Sequence, residues 1–255
     1  MSVIDYATEG HVAVITINRP DARNAVNGEV AQGIEAAIDQ MEADDAVWLG
    51  ILTGVPPVFS AGADLKEINA GRADSISTKR GGFAGFVSRE RTTPVIAAVD
   101  GPALAGGTEI CLACDLIVAS TSARFGIPEV KRCLVAAGGG LFRLPRKIPF
   151  NIAMELTLTG DPIDAERAHH FGLVNYLTDP GGALQRAQEL ARQIEANAPV
   201  AVRASRQVVL AAATADEATG WRLSGQAFGE ALSSEDNKEG LMAFIEKRPP
   251  NWTGK

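Results

Sequence analysis

The chain has 255 residues, 46% of them hydrophobic and 22% charged, so it is long enough to bury a sizeable core. Its formal net charge of −7 and its 5% aromatic content argue against nucleic-acid binding, because an acidic chain repels polyphosphate and offers few rings for stacking. Three cysteines, no signal-peptide pattern at the N-terminus and no apolar run of bilayer length lead us to expect a cytoplasmic protein without a membrane partner.

The N-terminal half alternates predicted strands with helical stretches. The predicted strands are His11–Asn18, Val47–Thr53, Pro94–Val99 and Asp115–Ala119. Apolar residues at helical spacing after Asn27, a candidate N-cap, predict a helix between the first two strands. This alternation is typical of β-α crossovers and predicts an α/β fold with a mostly parallel sheet.

The pattern changes near residue 149 and is almost wholly helical from Ile152 onward. Predicted helices cover residues 184–194, 200–213, 216–232 and 235–247. We therefore expect an α/β core over residues 1–195 that carries the functional site, followed by a C-terminal helical region over residues 196–255.

Two segments that follow predicted strands are rich in small residues: Phe59–Lys66 and Leu104–Glu109. Small side chains let a ligand approach the backbone, and a helix beginning near Gly106 would leave its first amides unpaired. The amides of Ala63 and Gly106 are therefore candidate donors to a developing oxyanion. Tight packing of two turns without any ligand is the alternative interpretation.

Two carboxylates accompany these segments. Glu109 lies on the first turn of the predicted helix, and Glu129 follows the rigid turn at Pro128. A pair of acids in a pocket is useful for proton transfer when their surroundings separate their pKa values. A helix-capping role for Glu109 and a solvated turn for Glu129 are the alternatives.

The sequence lacks the motifs of several other classes of enzyme and binding site. There is no Gly-x-Ser-x-Gly elbow and no P-loop, and the triplet Gly138–Gly140 has Arg143 where a dinucleotide fingerprint needs its third glycine. Cys111 and Cys114 have no second cysteine pair to complete a zinc site, so we expect no metal.

Many short segments, taken in order, resemble the enoyl-CoA hydratase/isomerase (crotonase) family over nearly the whole chain. They are Asn18-Arg19-Pro20, Asn24-Ala25, Leu52-Thr53-Gly54, Phe59 to Lys66, Pro94 to Val99, Leu104 to Glu109, Cys114-Asp115, Phe125 to Glu129, Leu158-Thr159-Gly160, Gly172-Leu173-Val174 and Phe244 to Arg248. The resemblance implies the crotonase-like (ClpP/crotonase) fold, with a repeated β-β-α core and a C-terminal helical layer that forms trimers.

The resemblance also assigns roles to residues. It implies that Glu109 activates a water, that Glu129 protonates the α-carbon, and that Ala63 and Gly106 form the oxyanion hole for a thioester carbonyl. The implied substrate-binding residues are Ala22, Arg23, Ala61, Ala63, Asp64, Leu65, Lys66, Gly106 and Ala137.

The activity implied is hydration of a trans-2-enoyl-CoA to a 3-hydroxyacyl-CoA. The resemblance also implies a homotrimer or dimer of trimers, and no cofactor beyond the CoA that belongs to the substrate. An isomerase, a carnitinyl-CoA-type dehydratase and a catalytically silent acyl-CoA binder remain alternatives. The segment Cys133–Ala137 and the pair Leu141-Phe142 depart from the family pattern, so the acyl group stays open.

Overall fold

The structure is a computed structural model that describes residues 2–255. The strands are β1 (Ile4–Glu9), β2 (Val12–Ile17), β3 (Leu49–Gly54), β4 (Ser77–Thr78), β5 (Gly82–Phe83), β6 (Val95–Val99), β7 (Ala103–Leu104), β8 (Leu116–Ser120), β9 (Arg124–Gly126), β10 (Ile163–Asp164) and β11 (Tyr176–Thr178). The helices are α1 (Gly28–Ala43), α2 (Leu65–Asn69), α3 (Gly106–Ala113), α4 (Gly140–Lys147), α5 (Phe150–Thr159), α6 (Ala165–His170), α7 (Ala183–Glu195), α8 (Pro199–Ala212), α9 (Glu217–Ser233) and α10 (Glu235–Glu246).

The main sheet has six strands in the order β1-β2-β3-β6-β8-β11. Only β1 and β2 pair antiparallel, and every other neighbouring pair in this sheet is parallel. Strands β3 and β6 are buried along their whole length, as expected for central strands covered on both faces. The predicted mixed α/β fold with a mostly parallel sheet is confirmed.

Seven strands of the described residues fall outside the sequence predictions: β1, β4, β5, β7, β9, β10 and β11. The largely exposed β1 pairs with β2 at the edge of the sheet. The expectation of an almost wholly helical chain after Ile152 was wrong at β10, which pairs with β9, and at β11, which pairs with β8. Strands of two or three residues are too short to show a period, so their partners in the fold determine them.

Helical layers cover both faces of the main sheet. On one face, α1 buries the stripe Val30, Ile34, Ile38 and Met41, and Asn27 caps it by accepting a 3.0 Å hydrogen bond from the Val30 amide. Each such side chain contributes about 1.5–3 kcal/mol when fully buried. The opposite face packs against the apolar side of α7, so the central strands lie between two apolar clusters.

A partly buried ion-pair network joins α8 to the sheet. The Asp115 carboxylate, just before β8, accepts from Arg91 at 3.1 Å and from Arg206 of α8 at 2.8 Å. Asp115 also accepts the Val95 amide at 2.8 Å, which ties the network to the start of β6. The predicted boundary between residues 195 and 196 falls between α7 and α8, and its division of the chain stays a prediction.

The last two helices carry exposed apolar side chains. No residue of α9 is buried, and Trp221 on α9 and Phe244 on α10 are 73% and 85% exposed. Within residues 2–255, none of the helices has both the length and the apolar character needed to cross a bilayer.

Candidate active site

Two loops at the carboxyl ends of β3 and β6 meet at glycines. A Cβ atom on Gly62 would lie 2.7 Å from the amide nitrogen of Gly106, closer than real Cβ atoms come, and Gly62 has a φ of +84°. A Cβ on Gly107 would lie 2.2 Å from the Ser60 carbonyl oxygen. Glycine is therefore required for this approach, which brings the two predicted loops into contact.

Both predicted oxyanion donors are unpaired. Among residues 2–255, neither the amide of Ala63 nor that of Gly106 donates a hydrogen bond, whereas the neighbouring amides of Asp64 and Ala105 do. Gly106 is also the first residue of α3, so the positive end of that helix dipole faces the same place. Free amides at a helix start are suited to stabilise a negative oxygen.

Glu109 lies on the first turn of α3 and is only 4% exposed. Its Oε1 accepts a 2.9 Å hydrogen bond from the Gly140 amide. Burial raises the pKa of Glu109 to about 7; the charge of Glu129 acts in the same direction, while the amides of Gly140 and Gly138 and the charge of Arg143 oppose it. This carboxyl can therefore take up and release a proton near neutral pH.

Glu129 follows β9 in the short 3₁₀ helix Pro128–Arg132. Its Oε2 is buried and, among the described residues, has no hydrogen-bond partner. Burial raises the pKa of Glu129, and the nearby charge of Arg132 only partly offsets this. A buried carboxyl oxygen without donors favours the neutral acid.

The two acids therefore have different surroundings. The Gly140 amide donates to Glu109, whereas Oε2 of Glu129 has no donor among the described residues. Burial raises the pKa of both carboxyls, that of Glu109 to about 7. Separate environments of this kind allow one carboxyl to act as base and the other as acid. Which of the two acts as the base and which as the acid stays a prediction from the family resemblance.

A cavity of about 770 Å³ contains both acids and both free amides. The predicted site residues that line it are Arg23, Ala61, Ala63, Asp64, Leu65, Gly106, Glu109, Glu129 and Ala137. Ala22 and Lys66 lie outside this lining, and their contact with CoA stays a prediction.

Asp64 has a clear structural role at the edge of this cavity. Its Oδ2 pairs with Arg19 at 2.7 Å, and its Oδ1 caps α2 by accepting from the Lys66 amide at 3.0 Å. Burial opposes ionisation of Asp64, but the hydrogen bonds from Arg19 and Lys66 and the charge of Arg19 outweigh it and lower its pKa. Asp64 therefore fixes the loop that presents the amide of Ala63.

Apolar side chains line another part of the cavity. From the segment that departs from the family pattern, Leu134, Val135 and Ala137 face the cavity, and Phe142 does so from α4. Cys133 is absent from the lining and adopts the left-handed conformation, with a φ of 55°. Leu134, Val135, Ala137 and Phe142 therefore give this part of the cavity an apolar wall.

Three features of the site were not predicted. A Cβ on Gly138 would lie 2.6 Å from Oε2 of Glu109, so the loop before α4 wraps this carboxylate. Phe83 covers Gly106, since a Cβ there would lie 2.4 Å from its ring, and Arg143 lines the cavity wall. The triplet Gly138–Gly140 was the available signal, because consecutive glycines before a helix often mark a close backbone approach.

The cysteine pair lies away from this chemistry. Cys111 and Cys114 are buried at the end of α3, and burial raises the pKa of both thiols, that of Cys114 to about 12. Residues 2–255 contain no group of three or more His, Cys, Asp or Glu side chains arranged to hold a metal ion.

Comparisons with known proteins agree with the geometry. The family described as "Enoyl-CoA hydratase/isomerase" matches residues 7–255. The chain is 41% identical over 245 residues to the short-chain-enoyl-CoA hydratase of Clostridium acetobutylicum, covering 94% of this chain and 93% of that protein.

Solved structures show the same fold. An enoyl-CoA hydratase from Mycobacterium tuberculosis superposes with a TM-score of 0.96 at 47% identity, and a carnitinyl-CoA hydratase from Mycobacterium avium with 0.79 at 43%. Both comparisons cover 100% of each chain. The predicted crotonase fold is confirmed, and the chain belongs to the enoyl-CoA hydratase/isomerase family.

Proposed function

We propose that this protein is an enoyl-CoA hydratase in which Glu109 is the general base and Glu129 the general acid. The observation that carries the proposal is a single cavity lined by two buried carboxyls, Glu109 and Glu129, and by two residues whose amides donate no hydrogen bond among the described residues, Ala63 and Gly106. The substrate is an acyl-CoA thioester with a double bond between carbons 2 and 3.

In the proposed addition of water, the two carboxyls and the two amides each have one role. Glu109 takes a proton from water while the water oxygen bonds to carbon 3, and the π electrons of the 2,3 double bond move toward the thioester. Negative charge then develops on the carbonyl oxygen, where the amides of Ala63 and Gly106 stabilise it. As the carbonyl reforms, carbon 2 takes a proton from Glu129, and proton exchange with solvent restores both acids.

The expected contributions are large enough for catalysis. Removing one oxyanion donor in other enzymes costs about 2.7–4 kcal/mol of transition-state stabilisation. General acid and base groups each typically contribute about 10²–10⁴-fold in rate. None of these steps transfers electrons to an acceptor, so we propose that the enzyme needs no cofactor other than the CoA of its substrate.

Dehydration of a 3-hydroxyacyl-CoA is the second candidate, because the same two acids serve the reverse reaction. The similarity to a carnitinyl-CoA dehydratase from Mycobacterium avium, at 41% identity and a TM-score of 0.79, favours it. An isomerase needs only one acid to move a proton, and a silent acyl-CoA binder needs none. The presence of both Glu109 and Glu129 in one cavity therefore argues against these two alternatives.

We also propose that the enzyme is a homotrimer or a dimer of trimers. The exposed apolar side chains Trp221, Phe228 and Phe244 on α9 and α10 support this, because isolated monomers rarely expose large contiguous apolar patches. The cytoplasmic location stays a prediction.

The test of the activity is to add trans-2-enoyl-CoA esters of several chain lengths and follow the ultraviolet absorbance of the conjugated thioester. Hydration removes the conjugation, so absorbance should fall with time. Binding of these esters without any loss of absorbance would refute the hydratase proposal and support a silent binder. Supplying 3-hydroxyacyl-CoA esters and following the rise in absorbance tests dehydration.

A further inference from the structure

Arg143 joins two walls of the active-site cavity. It lies on α4, and its guanidinium donates to the Val87 carbonyl at 2.6 Å and to the Gly138 carbonyl at 3.3 Å. Val87 lies shortly after β5 on one wall, and Gly138 belongs to the loop before α4 on the other. Arg143 also lies against Gly139, where a Cβ would be 2.3 Å from its Nη1.

The loop that Arg143 holds is the loop that contacts Glu109. The Gly140 amide donates to Glu109, and Gly138 leaves no room for a Cβ beside the same carboxylate. Gly138, Gly139 and Gly140 have no side chains with which to anchor themselves. The planar guanidinium can reach two carbonyl oxygens at once, which an ammonium group does less well.

The opposite wall matters to the oxyanion hole. Phe83 lies four residues before Val87, and its carbonyl accepts a 3.2 Å hydrogen bond from the Val87 amide. The Phe83 ring in turn covers Gly106. Arg143 therefore ties the loop around the base to the segment that packs against a predicted oxyanion donor.

We propose that Arg143 is a positioning residue that holds the Gly138–Gly140 loop against Glu109 and thereby keeps this carboxyl in place as the general base. The inference rests on the hydratase function proposed above. It assigns to Arg143 a role through Glu109 and no contact with the reacting atoms.

The charge of Arg143 acts on the same carboxyl. Burial and the charge of Glu129 raise the pKa of Glu109, whereas Arg143 lowers it together with the amides of Gly140 and Gly138. Burial lowers the pKa of Arg143 itself; Arg91 and Arg146 add to this effect and Glu109 opposes it. Loss of Arg143 should therefore raise the pKa of Glu109 and leave less carboxylate available at neutral pH.

The test compares Arg143→Met and Arg143→Lys with Arg146→Met as a matched control. Arg146 is on the same helix and lies over the same Phe142 ring, with its guanidinium carbon 5.6 Å from the ring centre against 5.2 Å for Arg143. Arg146 does not line the active-site cavity. The measurements are kcat, KM and the pH dependence of kcat for enoyl-CoA hydration.

We expect Arg143→Met to lower kcat by roughly 10²-fold, because small displacements of a catalytic group cost about that much, with KM changed less than about threefold. The acid limb of its kcat profile should move to higher pH. Arg143→Lys should have a kcat between those of Arg143→Met and the wild-type enzyme. The acid limb of its kcat profile should shift less than that of Arg143→Met, because lysine keeps the positive charge. Arg146→Met should match the wild-type enzyme.

An unchanged acid limb in Arg143→Met, or a loss of kcat no larger than in Arg146→Met, would overturn the inference. If Arg143→Met does not fold, Arg143→Lys decides, and wild-type kcat in that variant would overturn the bridging role. A wild-type enzyme that does not hydrate enoyl-CoA esters would instead refute the proposed function on which the inference rests.

Discussion

Thr108 and Gly126 join the elements that carry the two acids. The Thr108 hydroxyl accepts a 2.9 Å hydrogen bond from the Gly126 amide and lies 2.6 Å from the Ala103 carbonyl oxygen. Thr108 immediately precedes Glu109 on α3, and Gly126 ends β9, three residues before Glu129. One buried hydroxyl therefore ties the helix that carries Glu109 to the strand that precedes Glu129.

Replacement of Thr108 by valine should disturb both stability and activity. Valine keeps the shape but leaves the buried Gly126 amide without its acceptor, which should cost about 1–3 kcal/mol of unfolding free energy. Urea unfolding and kcat for enoyl-CoA hydration check this. Thr108→Ser keeps the hydroxyl and should retain more activity; equal kcat in the two variants would contradict the role of the hydroxyl.

Glu109→Gln should lower kcat by about 10²–10⁴-fold, because glutamine cannot take a proton from water. Binding of a saturated acyl-CoA should change little, since glutamine has nearly the same shape. Calorimetry and the absorbance assay measure the two quantities. Glu42→Gln is the matched control: Glu42 also accepts backbone amides, from Thr92 and Thr93, but lies outside the active-site cavity, and it should keep wild-type kcat.

Activity should depend on pH through the base. The pKa of Glu109 is raised to about 7, so the hydration rate should fall as pH drops below about 7 and Glu109 becomes protonated. The kcat profile between pH 5 and 9 checks this. A flat profile across that range would show that Glu109 does not act as the base.

The raised pKa of Glu109 also predicts that the folded protein loses stability as pH rises, whereas its activity increases. Since the pKa of Glu109 is higher in the folded chain than its ordinary 4.5, the folded protein holds an extra proton between about pH 4.5 and 7 and loses stability as pH rises through this range. Glu109→Gln should remove this loss and raise unfolding free energy at pH 8 by up to about 3 kcal/mol. Thermal unfolding of Glu109→Gln and of the wild-type protein at pH 5 and pH 8 measures the change. A variant that is destabilised equally at both pH values would contradict the prediction.

Ala105 stores backbone strain beside the oxyanion hole. It precedes α3 with a φ of 53° and a ψ of −125°, a conformation that only glycine adopts easily. Ala105→Gly should therefore increase the unfolding free energy by about 1 kcal/mol. Ala103→Gly, in β7, is the control and should decrease it; a decrease in both variants would show that Ala105 is not strained.

Assembly should depend on the apolar side of the C-terminal helices. Light scattering should give a mass of three or six times 26.7 kDa for the wild-type protein. Phe244→Asp should lower this mass because it places a charge among exposed apolar side chains. Lys238→Asp changes an exposed polar residue of α10 and should leave the mass unchanged. A wild-type mass of one chain would refute the oligomer.

The sequence was informative where local chemistry determines structure. The cap at Asn27, the alternating β2 and the glycines before Glu109 all act over a few residues, so their elements and the two acids could be predicted. The edges of the site could not, because Gly138, Phe83 and Arg143 reach Glu109 and Gly106 from distant segments. Short strands such as β11 likewise depend on their partners.

The link between Arg206 and Asp115 has a consequence for any truncated form of the enzyme. A chain ended at residue 195, where the helical pattern suggests a boundary, would lose Arg206 and leave the carbonyl of Arg91 without the donor that now lies 2.8 Å away. Asp115 would keep one of its two arginines, Arg91. The C-terminal helices therefore supply hydrogen bonds to the segments that precede β6 and β8, and a shortened enzyme should unfold more readily than the intact chain.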